Sequence, residues 1–404
     1  MRHLRRSCAL CLLLTAAAGC GKSHKGSDSS PIPTPEPTPT PTPNPEPTPT
    51  PTEVIRVTDP IAGDTTWQQG KVYVVSGPLA VNATLTLEGC AVVKFDGAEA
   101  GLDVGPGGKI LANGVADCPV VFTSMKDDAS GGDTNQDGTA TSPARRDWRS
   151  VALAADAAPG STFRYAKFLY AGAAAQGAKA AALDVRAGGT TVDGCTFAHD
   201  GGGTPESPGG ALDAGQAQGT TQVTGSAFFD DDLPIVINQS MSLDATNTFS
   251  DATPGASSPA STYNGIFVAE GAGFTGTVTW GETEVAYVLP QRAGAATTSV
   301  NRGAVLALAK EVVVKLPRSG RIIVDGVLKV EGVSGTDKPV VFTSIADDAR
   351  PVDPSDTGGD GATNPDDAKW SAIYMPSSGG PHIDGQNLAC FHYDWQPSSC
   401  IQQQ

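Results

Sequence analysis

Pro119-Val120-Val121-Phe122-Thr123-Ser124 and Pro339-Val340-Val341-Phe342-Thr343-Ser344 are the same six residues, set 220 positions apart. The likeness extends in both directions from them. Upstream lie Trp67, Tyr73-Val74 and Val93-Lys94-Phe95 in one copy, and Trp280, Tyr287-Val288 and Val314-Lys315-Leu316 in the other. Downstream come Asp127-Asp128 and Trp148, answered by Asp347-Asp348 and Trp370. The first Trp, the Lys and the second Trp recur at offsets of 213, 221 and 222 residues, and four of the five Trp residues take part. Chance does not space so many residue types alike. The chain therefore holds an internal duplication, with copies at about 66–150 and 280–372.

Each copy has a finer grain. Val92-Val93-Lys94-Phe95, Lys109-Ile110-Leu111-Ala112 and Val120-Val121-Phe122-Thr123 are short β-rich runs separated by Gly, Asn and Asp. They read as short strands joined by tight turns. Between the copies a looser motif returns as Ala166-Lys167-Phe168, Cys195-Thr196-Phe197 and Ser226-Ala227-Phe228, at spacings of 29 and 31 residues. A strand that comes back once per 20–30 residues, with no helix-length segment between, predicts an all-β parallel solenoid. Coils then stack at about 4.8 Å, and ladders of Val, Phe, Leu and Ala fill a core that no single coil could bury. A β-sandwich is the alternative, but it calls for alternating hairpins.

The order of apolar strand, Gly-rich turn, Pro-Val-Val-Phe-Thr-Ser, Asp-rich loop and Trp resembles bacterial surface proteins built from right-handed parallel β-helix repeats, the pectin-lyase-like proteins. The resemblance covers most of residues 66–375. It implies a right-handed parallel β-helix, and it leaves function open, because that fold carries lyases, hydrolases, adhesins and passive scaffolds.

Enzymes of this type imply recognisable clusters. Lyase relatives pair a Ca²⁺-binding acidic cluster with a basic residue, and hydrolase relatives group Asp residues near Gly-His-Gly and Arg-Ile-Lys. No Gly-His-Gly occurs here, and Arg321-Ile322-Ile323 half-matches the second motif, far from the acidic run. The best constellation is Asp230-Asp231-Asp232 with His199 and Asp200. Aligning Phe197 with Phe228 sets Asp200 beside Asp230 on neighbouring coils, with His199 adjacent. Two carboxylates one coil apart could act as acid and base on a sugar. No Lys or Arg motif stands beside them in sequence, so Asp200, Asp230, Asp231 and His199 form only the runner-up, catalytic reading, and the first expectation is no catalytic residue.

Asp133-Thr134-Asn135-Gln136-Asp137-Gly138 matches the first half of a Ca²⁺ loop, with oxygen donors at positions one, three and five and Gly at six. The carboxylate at position twelve is missing, since residue 144 is Ala. In the second copy Asp356 and Asp360 keep positions one and five, and Asp367 takes twelve, but Gly358 replaces the third-position donor. Asp133, Asn135, Asp137, Asp356 and Asp360 are thus candidate Ca²⁺ ligands, and no cofactor is required. No His or Cys spacing points to zinc.

At the N-terminus, Arg2, Arg5 and Arg6 precede an apolar run from Cys8 to Leu14 and then Thr15-Ala16-Ala17-Ala18-Gly19-Cys20. This is the order of a secretory signal, and Ala18-Gly19-Cys20 resembles the lipobox of bacterial lipoproteins. The resemblance implies that residues 1–19 are removed and that Cys20 carries the lipid. Residues 20–52 then form a disordered linker. Pro fills every second position from Pro31 to Pro51, mostly alternating with Thr. A chain lacking alternate amide donors makes neither helix nor sheet and reaches up to roughly 70 Å as a polyproline-type spacer. The folded module begins at about residue 53 and runs to 404.

Losing Arg2, Arg5 and Arg6 leaves 24 basic against 43 acidic residues, a charge near −19. That excludes a nucleic-acid partner, which needs a basic footprint. In an exported protein, Cys90 with Cys118 and Cys390 with Cys400 are expected as disulfides. Cys90 and Cys118 lie 28 residues apart, about one coil, and Cys195 is left as a buried small side chain. The reading is a membrane-anchored β-helix at the outer membrane or cell surface. It acts by binding glycans or other surface polymers or proteins, or as envelope scaffold; the rival is a polysaccharide lyase or glycoside hydrolase.

Overall fold

The computed structural model describes residues 53–174, 181–251, 258–291, 296–331, 338–350, 357–361, 363–376, 382–385, 387–394 and 399–403. The leader, Cys20, the Pro/Thr linker and Asp356 lie outside the described residues.

Short β-branched and aromatic runs broken by turn residues do what the period-of-a-coil reading requires. The chain visits three sheets in rotation, one short strand each. Val54–Val57, Val72–Val75, Val92–Phe95, Val120–Ser124, Ala166–Leu169, Thr196–Ala198 and Ala227–Phe229 stack into the first sheet. Pro78–Val81, Gly101–Val104, Val151–Leu153, Leu183–Val185 and Leu212–Asp213 begin the second, and Thr65–Trp67, Thr84–Glu88, Lys109–Asn113, Thr162–Arg164, Thr190–Asp193 and Thr221–Thr224 make the third. Every pairing between these strands is parallel. The fold is an all-β, right-handed parallel β-helix, the hand that crossovers between parallel strands take.

The core is a set of ladders along the stack. Phe122, Phe168, Phe197 and Phe228 occupy one register position of the first sheet. Their rings stack at 4.9, 4.8 and 4.9 Å, and Phe249 continues the column at 5.5 Å. All five are fully buried. Phe168, Phe197 and Phe228 each have both ring faces covered by neighbouring rings, which is why the Phe motif recurs once per coil. Cys195 sits inside the same core, and burial pushes its thiol up to about 12. It therefore stays neutral.

The duplication holds in three dimensions. Trp67 stacks on Tyr73 at 4.6 Å and Trp280 on Tyr287 at 4.3 Å. Trp148 Nε1 donates to Leu169 O, and Trp370 Nε1 to Phe391 O, both at 2.8 Å. Yet the copies are displaced by one sheet. Val92–Phe95 and Val120–Ser124 belong to the first sheet, whereas their counterparts Val313–Leu316 and Val340–Ser344 extend the second. The second sheet reaches eleven strands by taking equivalent strands from neither copy: it joins one face of the first copy to a different face of the second. Two further sheets complete the second copy. One comprises Thr277–Trp280, Val305–Leu308, Val327–Val330 and Ile383–Asp384, the other Thr297–Val300, Arg321–Val324, Ile373–Met375 and Ile401–Gln403.

Cys90 and Cys118 form a disulfide with Cα atoms 4.7 Å apart, and Cys390 pairs with Cys400. The first joins neighbouring coils just before the strands that pair Val92 with Val121.

Candidate functional site

Three features concentrate polar chemistry: the corner after the first sheet, the outer face of the second sheet, and the long loop that runs between those sheets from Met125 to Ser150.

At the corner, the Phe197–Phe228 register is the one read from sequence, but the side chains that it brings together are offset by one from the expected pair. Phe197 pairs with Phe228, so the next positions place His199 beside Asp230 and Asp200 beside Asp231. The expected pair of Asp200 with Asp230 is not formed. Tyr170, His199 and Asp230 share the left-handed turn position of successive coils, with φ of 65°, 60° and 51°. The residue after each turns inward. Asp200 Oδ1 accepts Ala171 N–H at 2.7 Å, Asp231 Oδ1 accepts Asp200 N–H at 2.9 Å, and Ser261 Oγ accepts Asp231 N–H at 3.2 Å. Each side chain thus caps the backbone of the coil before it. Asp200 and Asp231 are fully buried. Burial raises both carboxyl groups well above the usual range, and for Asp200 the Asp231 carboxylate adds to the rise.

The outer residues of this corner are already paired. His199 Nδ1 lies 2.6 Å from Asp230 Oδ2. Tyr170 stacks on the His199 ring at 5.1 Å. Arg145 reaches Asp230 through its main-chain oxygen and carboxylate and lies 3.7 Å from Asp232, which also binds Arg146. Basic partners therefore do stand beside the acidic run, contrary to the sequence reading. They arrive from the 125–150 loop, 85 residues upstream. Of the four runner-up residues, Asp200 and Asp231 are sealed from any polymer, and Asp230 and His199 hold each other.

The second sheet carries a groove of about 400 Å³ on its outer face. Its floor is alanine, including Ala152, Ala154 and Ala181, and its charged groups are Asp103, Arg149, Asp184 and Arg186. Asp103, Ala152, Asp184 and Asp213 occupy one register row across four strands. Arg149 Nη2 donates to both Asp103 oxygens at 2.8 Å. Arg186 binds Asp184 at 2.9 Å, and that hydrogen bond raises the guanidinium further. Asp213 is 6% exposed and accepts Gly215 N–H. No aromatic side chain lines this groove. These residues were missed in the sequence, although a signal was present: Leu102-Asp103-Val104, Leu183-Asp184-Val185 and Leu212-Asp213-Ala214 repeat one pattern, with the Asp on the outward position.

In the long loop, Asp133, Asn135 and Asp137 gather as the motif predicts, and Asp128 joins them. Carboxylate oxygens of Asp128, Asp133 and Asp137 lie within 4.8 Å of one another. The loop covers Lys94, which is fully buried and donates to Gly132 O at 2.5 Å. Burial lowers the Lys94 pKa, while Asp127, Asp128 and Asp133 oppose that shift. In the second copy Lys315 is buried likewise and donates to Thr357 Oγ1 at 3.0 Å. Asp360 is exposed there, with Thr363 Oγ1 on its carboxylate, and among the described residues no second acidic group of this kind forms.

Residues 59–140 match the family model of the pectate-lyase-like beta helix domain. Neither a search of curated proteins nor a search of solved structures found a match. The matched segment holds the first coils of a parallel stack that continues well past it, and the fold of the chain is a pectin-lyase-like parallel β-helix.

Proposed function

We propose that this chain is a lipid-anchored β-helix at the cell surface that binds polymer chains, glycans foremost, along the outer face of its second sheet, and holds them without cleaving them. The observation that carries this reading is the state of the charged groups in the groove. Each arginine is matched to an aspartate, Arg149 to Asp103 and Arg186 to Asp184. Such pairs offer fixed donors and acceptors to sugar hydroxyls and carboxylates. Elimination needs an unprotonated base to accept the substrate's proton, and the hydrogen bond to Asp184 holds the Arg186 guanidinium in its protonated form. Asp103 and Asp184 are separated by the strand of Ala152. Two strand spacings put them about 10 Å apart, well beyond the roughly 5–5.5 Å of a retaining pair and at the outer limit of the roughly 6.5–9.5 Å of an inverting one.

One arrangement favours the rival reading. Asp184 and Asp213 are register neighbours on adjacent strands, a spacing suited to a carboxylate pair. Burial of Asp213 argues against it, since a polymer reaches only Asp184 freely.

The test is a panel of acidic and neutral polysaccharides, assayed for binding and for product release with and without Ca²⁺. Retention without product is expected, and Arg149→Ala with Arg186→Ala should weaken binding at least about tenfold, as loss of charged hydrogen bonds does. Product release by the unaltered protein that vanishes in Asp184→Asn with Asp213→Asn would promote the hydrolase.

A further inference from the structure

We propose that Asp128, Asp133, Asn135 and Asp137 bind a Ca²⁺ ion that locks the 125–150 loop onto the first coils. This rests on the loop alone and is independent of the groove. Three oxygens at the cluster, Asp128 Oδ1, Asn135 Oδ1 and Asp137 Oδ1, are enclosed by protein and have no hydrogen-bond partner. One of them belongs to an amide, so the pattern is not a mere gathering of acids.

The rest of each group is used to aim them. The Asn135 amide nitrogen donates to Asp137 Oδ2 at 2.9 Å and to Thr141 Oγ1 at 3.2 Å, which turns Oδ1 the other way. Asp137 Oδ2 also accepts from the Thr141 hydroxyl, leaving Oδ1 over. Asp133 is held by the N–H groups of Asp137 and Gly138 at 3.1 and 3.0 Å. Enclosed oxygens of this kind need a positive partner. The buried Lys94 ammonium feels the charges of Asp128 and Asp133, but it donates its hydrogen bond to Gly132 O.

A donor set made of carboxylate and amide oxygens only is hard, and it excludes metals that prefer nitrogen or sulfur. Ca²⁺ takes six to eight oxygens in adaptable geometry, so these four with water would satisfy it, whereas Mg²⁺ demands a tighter octahedron. Asp128 supplies what the six-residue motif lacks, because it reaches the cluster from outside the motif, five residues before Asp133.

The location states what the ion would do. Gly131, at φ +74°, passes so close to Val72 that a Cβ there would sit 2.7 Å from Val72 Cγ2. The loop thus packs on the second coil at this end and is tied by Arg145 and Arg146 to Asp230 and Asp232 at the other. A cation at Asp128 and Asp137 fastens the first end.

The experiment uses the whole chain purified in detergent and stripped of metal with a chelator. Calorimetric titration with CaCl₂ should give a dissociation constant of roughly 0.1–1 mM, the range of extracellular modules. The melting temperature should rise with Ca²⁺ concentration, and the ion should protect the loop from limited proteolysis. Asp128→Asn and Asp137→Asn, tested singly, should each weaken binding at least about tenfold; Asp360→Asn in the second copy should not. Equal melting temperatures without Ca²⁺ show that a variant still folds. No heat and no thermal shift at millimolar Ca²⁺ would overturn the proposal. So would unchanged affinity in both first-copy variants, or protection by Mg²⁺ equal to that by Ca²⁺.

Discussion

Asp200 and Asp231 illustrate how one residue can read as chemistry and serve as structure. An acidic run beside a His is what a glycan-cleaving site needs, and the same residues cap backbone N–H groups between coils. Their Oδ2 atoms find no partner in the enclosed corner. Burial favours the neutral acid and raises both groups. A folded-state pKa above the unfolded value stabilises below the unfolded value, and that contribution is lost as pH rises through the folded one. Asp200→Asn with Asp231→Asn keeps the accepting oxygens and removes the charge. The double variant should match the unaltered protein in acid and melt increasingly higher than it towards neutral and alkaline pH. Thermal melts across pH check this; parallel curves would mean the carboxyl groups are not the source. The carboxylates were legible in sequence, but their direction was not, because one position along a coil separates an outward residue from an inward one.

At the scale of elements, coil length decides most of what happened. The Phe ladder was readable because spacings of 29 and 31 residues repeat a local motif, and packing demands an apolar ring at that point of every coil. The Cys90–Cys118 disulfide follows from the same stacking. Replacing both residues by Ser should cost roughly 3–4 kcal/mol, from the loop entropy of a 28-residue closure. Chemical unfolding of the variant against the oxidised parent measures it; an unchanged midpoint would show that the neighbouring strand pairs already hold the two coils. The 125–150 loop is the opposite case. Its length gave no hint that Arg145 and Arg146 come to rest against Asp230 and Asp232. Arg145, Arg146 and Arg149 do form a basic knot within five residues of sequence, yet a loop has no periodicity from which to compute its partner.

For the whole molecule, the duplication brings two copies of a coil set into one stack with a rotation between them. The eleven-stranded sheet joins unlike faces, so the groove on the first copy has no register equivalent on the second: Leu102-Asp103-Val104 belongs to the shared sheet, while Arg321–Val324 lies in a separate one. The proposed membrane anchor is Cys20, whose acylation would supply the membrane affinity. Gly21 follows Cys20 with no Asp there; under the proposed lipidation, analogy with enteric lipoproteins gives an outer membrane as the expected destination. Cys20→Ser should move the protein from membrane to soluble fractions on cell fractionation; a variant as firmly held as its parent would remove lipid as the anchor.

Sequence alone determined that this chain is a parallel β-helix, that it is duplicated, which cysteines pair, and that Asp133, Asn135 and Asp137 gather. Those are consequences of short-range pattern: strand composition, turn residues and a motif returning once per coil. Only the tertiary structure decided that Asp200 and Asp231 turn inward, that Asp128 completes the acidic loop, that Asp103, Asp184 and two arginines share a groove, and that the copies are displaced by one sheet. These depend on how many residues each coil spends in its turns. A change of one residue in a turn, or of one strand at the junction, shifts every later side chain to a new neighbour while leaving the local pattern intact.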